Sequence, residues 1–233
     1  MRGLRRRPVQ KSNLKLNNNN MESNIIITVG RQIGSGGLSV ASLIAKKLGI
    51  EVYDRNLLML AAKESGISQE IFADKDEKPA AMSRFAQFLG IRSSVYASAQ
   101  AFTEPGTLTD DELFTLQGKV IKTIADKGSG VFVGRCADYV LRNEPGLFSV
   151  FVTADMEDRV ARIMEREKIS ADAARKYIEN GQRKRSYYYN YYTFKKWGDS
   201  TSYDLCINSS RYGLETTADI IVDLYRKFRE KGM

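Results

Sequence analysis

Histidine is absent from all 233 residues, which removes Ser-His-Asp and Cys-His catalysis and most zinc chemistry at once. Cysteine is almost absent: Cys136 and Cys206 stand far apart without metal-ligand spacing, so they read as buried thiols of an intracellular protein. No run of 18 or more apolar residues occurs, and the N-terminus lacks the apolar core of a signal peptide. Neither a membrane span nor secretion is supported, and the cytoplasm is the expected location. With 42% hydrophobic and 27% charged residues, what remains is the makeup of one globular domain.

Acidic residues are missing from positions 1–20, which hold Arg2, Arg5, Arg6, Arg7, Lys11 and Lys15, then Asn17 to Asn20, with no hydrophobic period. Residues 1–23 read as a disordered, basic, Asn-rich tail, followed by a domain over 24–230. Of the net charge of +8 the tail holds six, and eight less six leaves +2 for the body. Basicity is therefore weak evidence for nucleic acid beyond non-specific tail contacts. Two further readings of the tail are a natural start at Met21 and a specific electrostatic arm.

The stretch around which the rest is organised is Gly30-Arg31-Gln32-Ile33-Gly34-Ser35-Gly36-Gly37-Leu38-Ser39. The apolar run Ile25 to Val29 before it predicts a buried strand, and Leu38, Ala41, Ile44, Ala45 and Leu48 after it share a helix face. Strand, glycine loop and helix together form a phosphate-binding arrangement, because glycines let backbone N–H groups approach an anion and the helix start adds partial positive charge. Aligned with G-x-x-x-x-G-K-[ST], the loop has Arg31 where the first glycine belongs, Gly37 where the lysine belongs, and Ser39 near the hydroxyl position. Gly30, Gly34 and Gly36 also spell G-x-x-x-G-x-G, the turn of short-chain dehydrogenases, and on this stretch alone the two readings compete.

Glu51 to Asp54 predicts a second strand and Asn56 to Ser65 a helix; Asp54 is either a ligand contact at the strand's carboxyl end or the N-cap of that helix. Residues 70–73 and 80–89 look helical, 93–107 a loop or flap, and a helix capped by Thr109 to Glu112 runs to Lys127-Gly128. The strand Val131 to Val133 ends in Gly134-Arg135, with Asp138 one helical turn later. Another strand, Leu147 to Val152, leads into a helix whose Arg159, Arg162 and Arg166 form a stripe away from Met156, Val160 and Ile163; a solvated stripe partnered by Glu165 or Glu167 is the plain expectation. A helix from Ser170 to Gly181 precedes Gln182-Arg183-Lys184-Arg185 and five tyrosines among residues 187–192. That segment reads as a stacking platform for single strands, as a lid over a triphosphate, or as a packed helix end. Tyr203 to Asn208 is the last strand, and Leu214, Ala218, Ile221, Tyr225 and Phe228 mark a closing amphipathic helix. Alternating strands and helices imply an α/β fold with a parallel sheet covered on both faces.

From about Asn24 to Phe228 this order resembles the P-loop nucleoside monophosphate kinases, and specifically the cytidylate kinase-like family. The resemblance is carried by Gly30 to Gly37, Val52 to Asp54, Val133 to Leu141, and Trp197 to Ser210. It implies a three-layer P-loop NTPase fold with a helical lid or flap, and phosphoryl transfer from ATP to CMP, dCMP or a related acceptor with Mg²⁺. By position, Gly34, Ser35, Gly36, Gly37, Leu38 and Ser39 would hold the donor phosphates, with Ser39 on the metal. Asp54, Arg135 and Asp138 would face the acceptor, and Arg183 and Arg185 would come from the lid, with help from Arg159 or Arg162.

Three positions depart from the family pattern: Gly37 replaces the lysine, no acid precedes Gly134-Arg135, and Gln182 stands where related sequences often carry an acid. Phosphoryl transfer depends on positioning and charge stabilisation, so a lost cation has to be replaced. Arg31, at the loop entrance, is the candidate, which makes Arg31, Arg135, Arg183 and Arg185 the expected catalytic cations. Alternatives are a nucleotide-binding protein without catalysis and, more remotely, a dehydrogenase-like NAD(P) binder using Tyr191 and Lys195, a spacing that is cheap in so Tyr- and Lys-rich a segment. Because residues 1–20 carry charge but no apolar period, deleting them will leave the melting temperature and nucleotide affinity unchanged and lower only non-specific nucleic-acid retention. Thermal melts and titrations of the truncated chain check this.

Overall fold

The computed structural model describes residues 24–54 and 110–231. The readings placed on the tail, on Asn56 to Ser65 and on residues 66–109 lie outside them. Five strands are present among the described residues: β1 (Ile26–Arg31), β2 (Glu51–Tyr53), β3 (Gly130–Val133), β4 (Leu147–Thr153) and β5 (Leu205–Asn208). They form one sheet in the order β2-β3-β1-β4-β5, every neighbouring pair parallel. Central β1 pairs Ile27 with Val131 and Phe148, and Val29 with Val133 and Val150. Strands buried on both sides explain the unbroken apolar runs in the sequence.

On one face, Ile27, Val29, Val131, Val133, Val150 and Val152 pack against α1 (Gly37–Leu48) and α6 (Ser209–Glu230). The other face is aromatic: Phe151, Tyr189 and Tyr203 with Cys136, joined by Phe114, Tyr188, Tyr192 and Trp197. These come in part from α2 (Asp110–Lys127), the single turn α3 (Ala137–Val140) and α5 (Ala171–Thr193). A third cluster lies within the hairpin of α4 (Met156–Glu167) and α5, where Val160, Ile163, Ala174 and Ile178 enclose Ile33 of the glycine loop. Insertion of Ile33 fastens the loop to the hairpin by apolar burial before any polar contact is considered.

The helix expected to end at Gly181 runs on to Thr193. Gly181 is needed there for close approach, since a Cβ on it would meet Ile33 Cδ1; it permits contact with the loop and does not end the helix. Lys-Arg-Ser-Tyr continues the helical hydrogen bonding, so the basic and tyrosine segment is a helix, and three of its five rings, Tyr188, Tyr189 and Tyr192, pack inward. Cys206, expected to be buried, is exposed on β5, whereas Cys136 is buried. β3 lies between β1 and β2, unlike the 3-2-1-4-5 order of dinucleotide-binding sheets, and Tyr191 and Lys195 are exposed. Both facts count against the dehydrogenase reading. Among the described residues no helix is long and apolar enough to cross a membrane.

Candidate functional site

The glycine loop leaves β1 at its carboxyl end and turns into α1 through two left-handed residues, Gly34 (φ 79°) and Gly36 (φ 74°). Neither tolerates a side chain: a Cβ on Gly34 would lie 2.7 Å from the Arg159 carbonyl oxygen, and one on Gly36 would lie 2.5 Å from Leu214 Cδ2. The first bond of α1 runs from Val40 N to Gly36 O at 2.9 Å, so the amides of Gly37, Leu38 and Ser39 precede the helical ladder. Gly36 supplies no capping side chain, and the first turn of α1 contains no acid. Its positive end is therefore left for an anion.

What holds this shape is a set of side chains on the loop's carbonyl oxygens. Arg185 Nη1 donates to Arg31 O at 3.0 Å, and Ser35 Oγ to Gln32 O at 3.0 Å. Arg159 Nε donates to Ile33 O at 2.8 Å, Arg162 Nη1 to Gly34 O at 3.0 Å, and Ser209 Oγ to Ser35 O at 2.7 Å. Five consecutive carbonyls, from Arg31 to Ser35, are thus engaged by side chains. Arg159 is only 4% exposed, and its Nη2 donates to Gln182 Oε1. Burial pulls its pKa below the ordinary guanidinium value, yet an arginine keeps its charge at neutral pH. The expected solvated stripe is corrected here: Arg159 and Arg162 point at the loop, and Arg166 alone of the three pairs with an acid, Glu167, at 2.8 Å. Arg159 and Arg162 of that stripe face the loop, while Arg166 is the solvated, acid-paired residue that was expected.

Beside the loop, β3 ends in three successive left-handed residues, Gly134 (φ 72°), Arg135 (φ 57°) and Cys136 (φ 54°). For the two non-glycine residues this conformation costs about 1–2 kcal/mol each, and such turns persist only where surrounding contacts over-determine them. Fully buried Gln117 on α2 supplies one such contact, donating from Nε2 to Arg135 O at 2.9 Å. Arg31 links this turn to the loop. Its Cβ and Cγ lie over Gly37, and its guanidinium lies against Gly134.

The sequence-predicted residues therefore divide. Gly34, Ser35, Gly36, Gly37, Leu38 and Ser39 form one cradle, with Arg31 and Arg185 at its entrance. Arg135 and Asp54 sit near the carboxyl ends of β3 and β2, adjacent strands. Asp138 is turned into the aromatic face, where Tyr189 OH donates to its Oδ2 at 2.6 Å. Arg183 is exposed and bonds Asn180 at 3.3 Å, two residues from Arg185 and so on a different side of α5. Magnesium favours oxygen ligands, keeps several waters, and joins few protein groups to nucleotide phosphates. The exposed hydroxyl of Ser39, on the first turn of α1, fits that role as a single protein oxygen. Among the described residues no group of three or more acids, cysteines or histidines forms a separate cage. Sequence reasoning assigned no role to Gln117 or to Ser209, although Ser209 falls in the Trp197 to Ser210 stretch, because a lone buried amide or serine carries no local signal of its role.

Three comparisons bear on this geometry. The profile described as the cytidylate kinase-like family matches residues 26–211. A cytidylate kinase of Methanocaldococcus jannaschii is 26% identical over 202 residues, covering 84% of this chain and 95% of that protein. One of Archaeoglobus fulgidus is 26% identical over 204 residues, with 84% and 92% covered. A third, from Halobacterium salinarum, is 29% identical over 121 residues, spanning 51% of this chain and 58% of its own length. Among solved structures, an uncharacterized protein of Eubacterium ventriosum superposes with a TM-score of 0.64 at 28% identity, covering 87% of this chain and 98% of that one.

Burial raises the Asp138 pKa above the ordinary carboxylate value, opposed by the Tyr189 hydrogen bond and the charge of Lys195. A folded-state pKa above the unfolded value of about 3.9 means that its stabilising contribution is present below that pH and is lost as pH rises through the folded value. Wild type will therefore lose stability relative to Asp138→Asn as pH rises from about 4, the unfolded carboxylate value, through the raised folded value. Thermal melts of both proteins across that window check the sign.

Proposed function

The chain belongs to the cytidylate kinase-like family, and from that premise we propose that it transfers the terminal phosphoryl group of ATP to CMP, dCMP or a related phosphate acceptor. The observation that carries this reading is the loop itself: five outward, satisfied carbonyls and an uncapped, acid-free helix start leave backbone amides directed at an anion. In this reading Gly34 to Ser39 take the donor phosphates. Ser39 would hold Mg²⁺ entering with ATP, and the metal would neutralise phosphate charge. Arg135 and Asp54, on the neighbouring strand ends, take the acceptor, and Asp138 supports that edge through Tyr189. Transfer breaks the bond between the γ-phosphorus and its bridging oxygen, whose electron pair leaves with ADP. A bond forms to an acceptor oxygen. Residues of this chain contribute by alignment and by charge: Arg185 lies at the loop entrance, and exposed Arg183 reaches the phosphates only on rearrangement.

A second reading, nucleotide binding without turnover, is favoured by the missing lysine at Gly37 and the missing acid before Gly134. One experiment separates the two. Thermal shift with nucleoside mono- and triphosphates, NAD(H) and single-stranded oligonucleotides is followed by an assay of ADP release from ATP and Mg²⁺ with CMP or dCMP. A ligand at about 100 times its dissociation constant adds about 2.7 kcal/mol of stability, enough to see in a melt. The proposal expects stabilisation by ATP and by CMP or dCMP, and ADP release that depends on the acceptor. Stabilisation without ADP release would establish the second reading, and stabilisation by NAD(H) or oligonucleotide alone would sink both.

A further inference from the structure

Arg31, Gly37 and Gly134 lie far apart in sequence but compete for one volume. A Cβ built on Gly37 would stand 2.5 Å from Arg31 Cβ and 3.0 Å from Arg31 Cγ, and a Cβ built on Gly134 would land on the Arg31 guanidinium. Real side chains do not approach so closely: the Arg31 stem excludes any side chain at 37, and a side chain at 134 would displace the guanidinium from the path it takes here. The ordinary loop makes the opposite choice, with glycine first and a lysine at the place of Gly37. Here the bulk and the charge have moved together from the start of α1 to the end of β1.

We propose that Arg31 is the cation for the phosphate that lies between donor and acceptor: it replaces the loop lysine from the opposite end of the loop, and Gly37 and Gly134 leave room for its side chain to cross. This rests on the phosphotransferase reading and deepens it. The crossing starts beside the first turn of α1, where the donor phosphates lie, and ends at the left-handed turn that carries Arg135 on the acceptor side. A group passing between donor and acceptor traverses that interval. The stem is confined between Gly37 and Gly134, and the Arg31 carbonyl is held by Arg185 at 3.0 Å. The guanidinium is therefore placed before substrate arrives, and its fork can take two phosphate oxygens where an ammonium takes one. Its contribution is to bind and orient phosphate oxygens; no proton moves to or from it.

The steric coupling also predicts which rescue works. Alanine at 31 keeps the Cβ that collides with any side chain at 37, so Gly37→Lys cannot restore function in an Arg31→Ala background. Arg31→Gly with Gly37→Lys removes that collision and returns the loop to the ordinary arrangement.

Isothermal titration of ATP with Mg²⁺, and of adenosine as a probe without phosphates, into wild type and variants tests this. Arg31→Ala and Arg31→Gln, the latter keeping most of the stem's packing, are expected to lose about ten-fold or more in ATP affinity. Adenosine affinity will be unchanged, and melting temperatures will stay within about 2 °C of wild type. Arg31→Gly/Gly37→Lys is expected to recover ATP affinity, and Arg31→Ala/Gly37→Lys is not. Unchanged ATP affinity in Arg31→Gln overturns the proposal while leaving the phosphotransferase reading intact. Loss of ATP and adenosine affinity together with a large fall in melting temperature in both single variants also overturns it, in favour of a structural role. A wild-type protein that binds no ATP removes the reading and the proposal with it.

Discussion

A peptide group cannot turn its N–H toward a ligand without turning its C=O away, and a buried carbonyl without a partner costs about 1–3 kcal/mol. An anion cradle built from backbone amides is therefore only as good as the partners behind it. In this protein those partners are Arg185, Ser35, Arg159, Arg162 and Ser209, one for each carbonyl from Arg31 to Ser35. Much of the remaining architecture serves to bring them there. The α4–α5 hairpin delivers three guanidinium groups and encloses Ile33, and α6 delivers Ser209 and fills the space beside Gly36 with Leu214. Orientation of the cradle is thus a tertiary property, although its glycines are adjacent in sequence.

That distinction accounts for what the sequence disclosed and what it hid. Strand runs such as Ile26 to Val29 and Val131 to Val133 were legible because a parallel sheet covered on both faces leaves no polar alternation. The glycine loop was legible because positive φ and close approach select glycine locally. The arginines of α4 were read from spacing as a solvated stripe and from the family resemblance as help at the phosphates: helical spacing places side chains on a common side, and only the packing of α4 against the loop decides what that side meets. Gly181 misled for the opposite reason. A glycine in a helical stretch suggests a stop when read locally, whereas here it answers to Ile33 across the interface. The left-handed Arg135 and Cys136 had no signature at all, since neither residue type prefers that conformation.

The arginines also do different physical work. Arg159, buried and bonded to a carbonyl and to the neutral Gln182, contributes a fixed positive field behind the loop as well as a hydrogen bond. Tyr188, Tyr189 and Tyr192 give the other half of α5 an apolar and hydrogen-bonded seat on the aromatic face, with Phe114 and Tyr192 stacked at 4.0 Å. One continuous helix therefore anchors the loop at one place and, through Tyr189 and Asp138, the turn after β3 at another, so displacement of α5 would be felt at both.

Four of the five carbonyl partners lie 126, 128, 154 and 174 residues downstream of the atoms they hold. As the chain is synthesised, the glycine loop is made early, but each of these contacts waits for α4, α5 and finally α6. Closing such long loops is entropically expensive and kinetically late. The nascent chain therefore carries its glycine loop for most of its synthesis without the means to shape it. The amide cradle takes its shape only near the completion of folding, when the last helix docks.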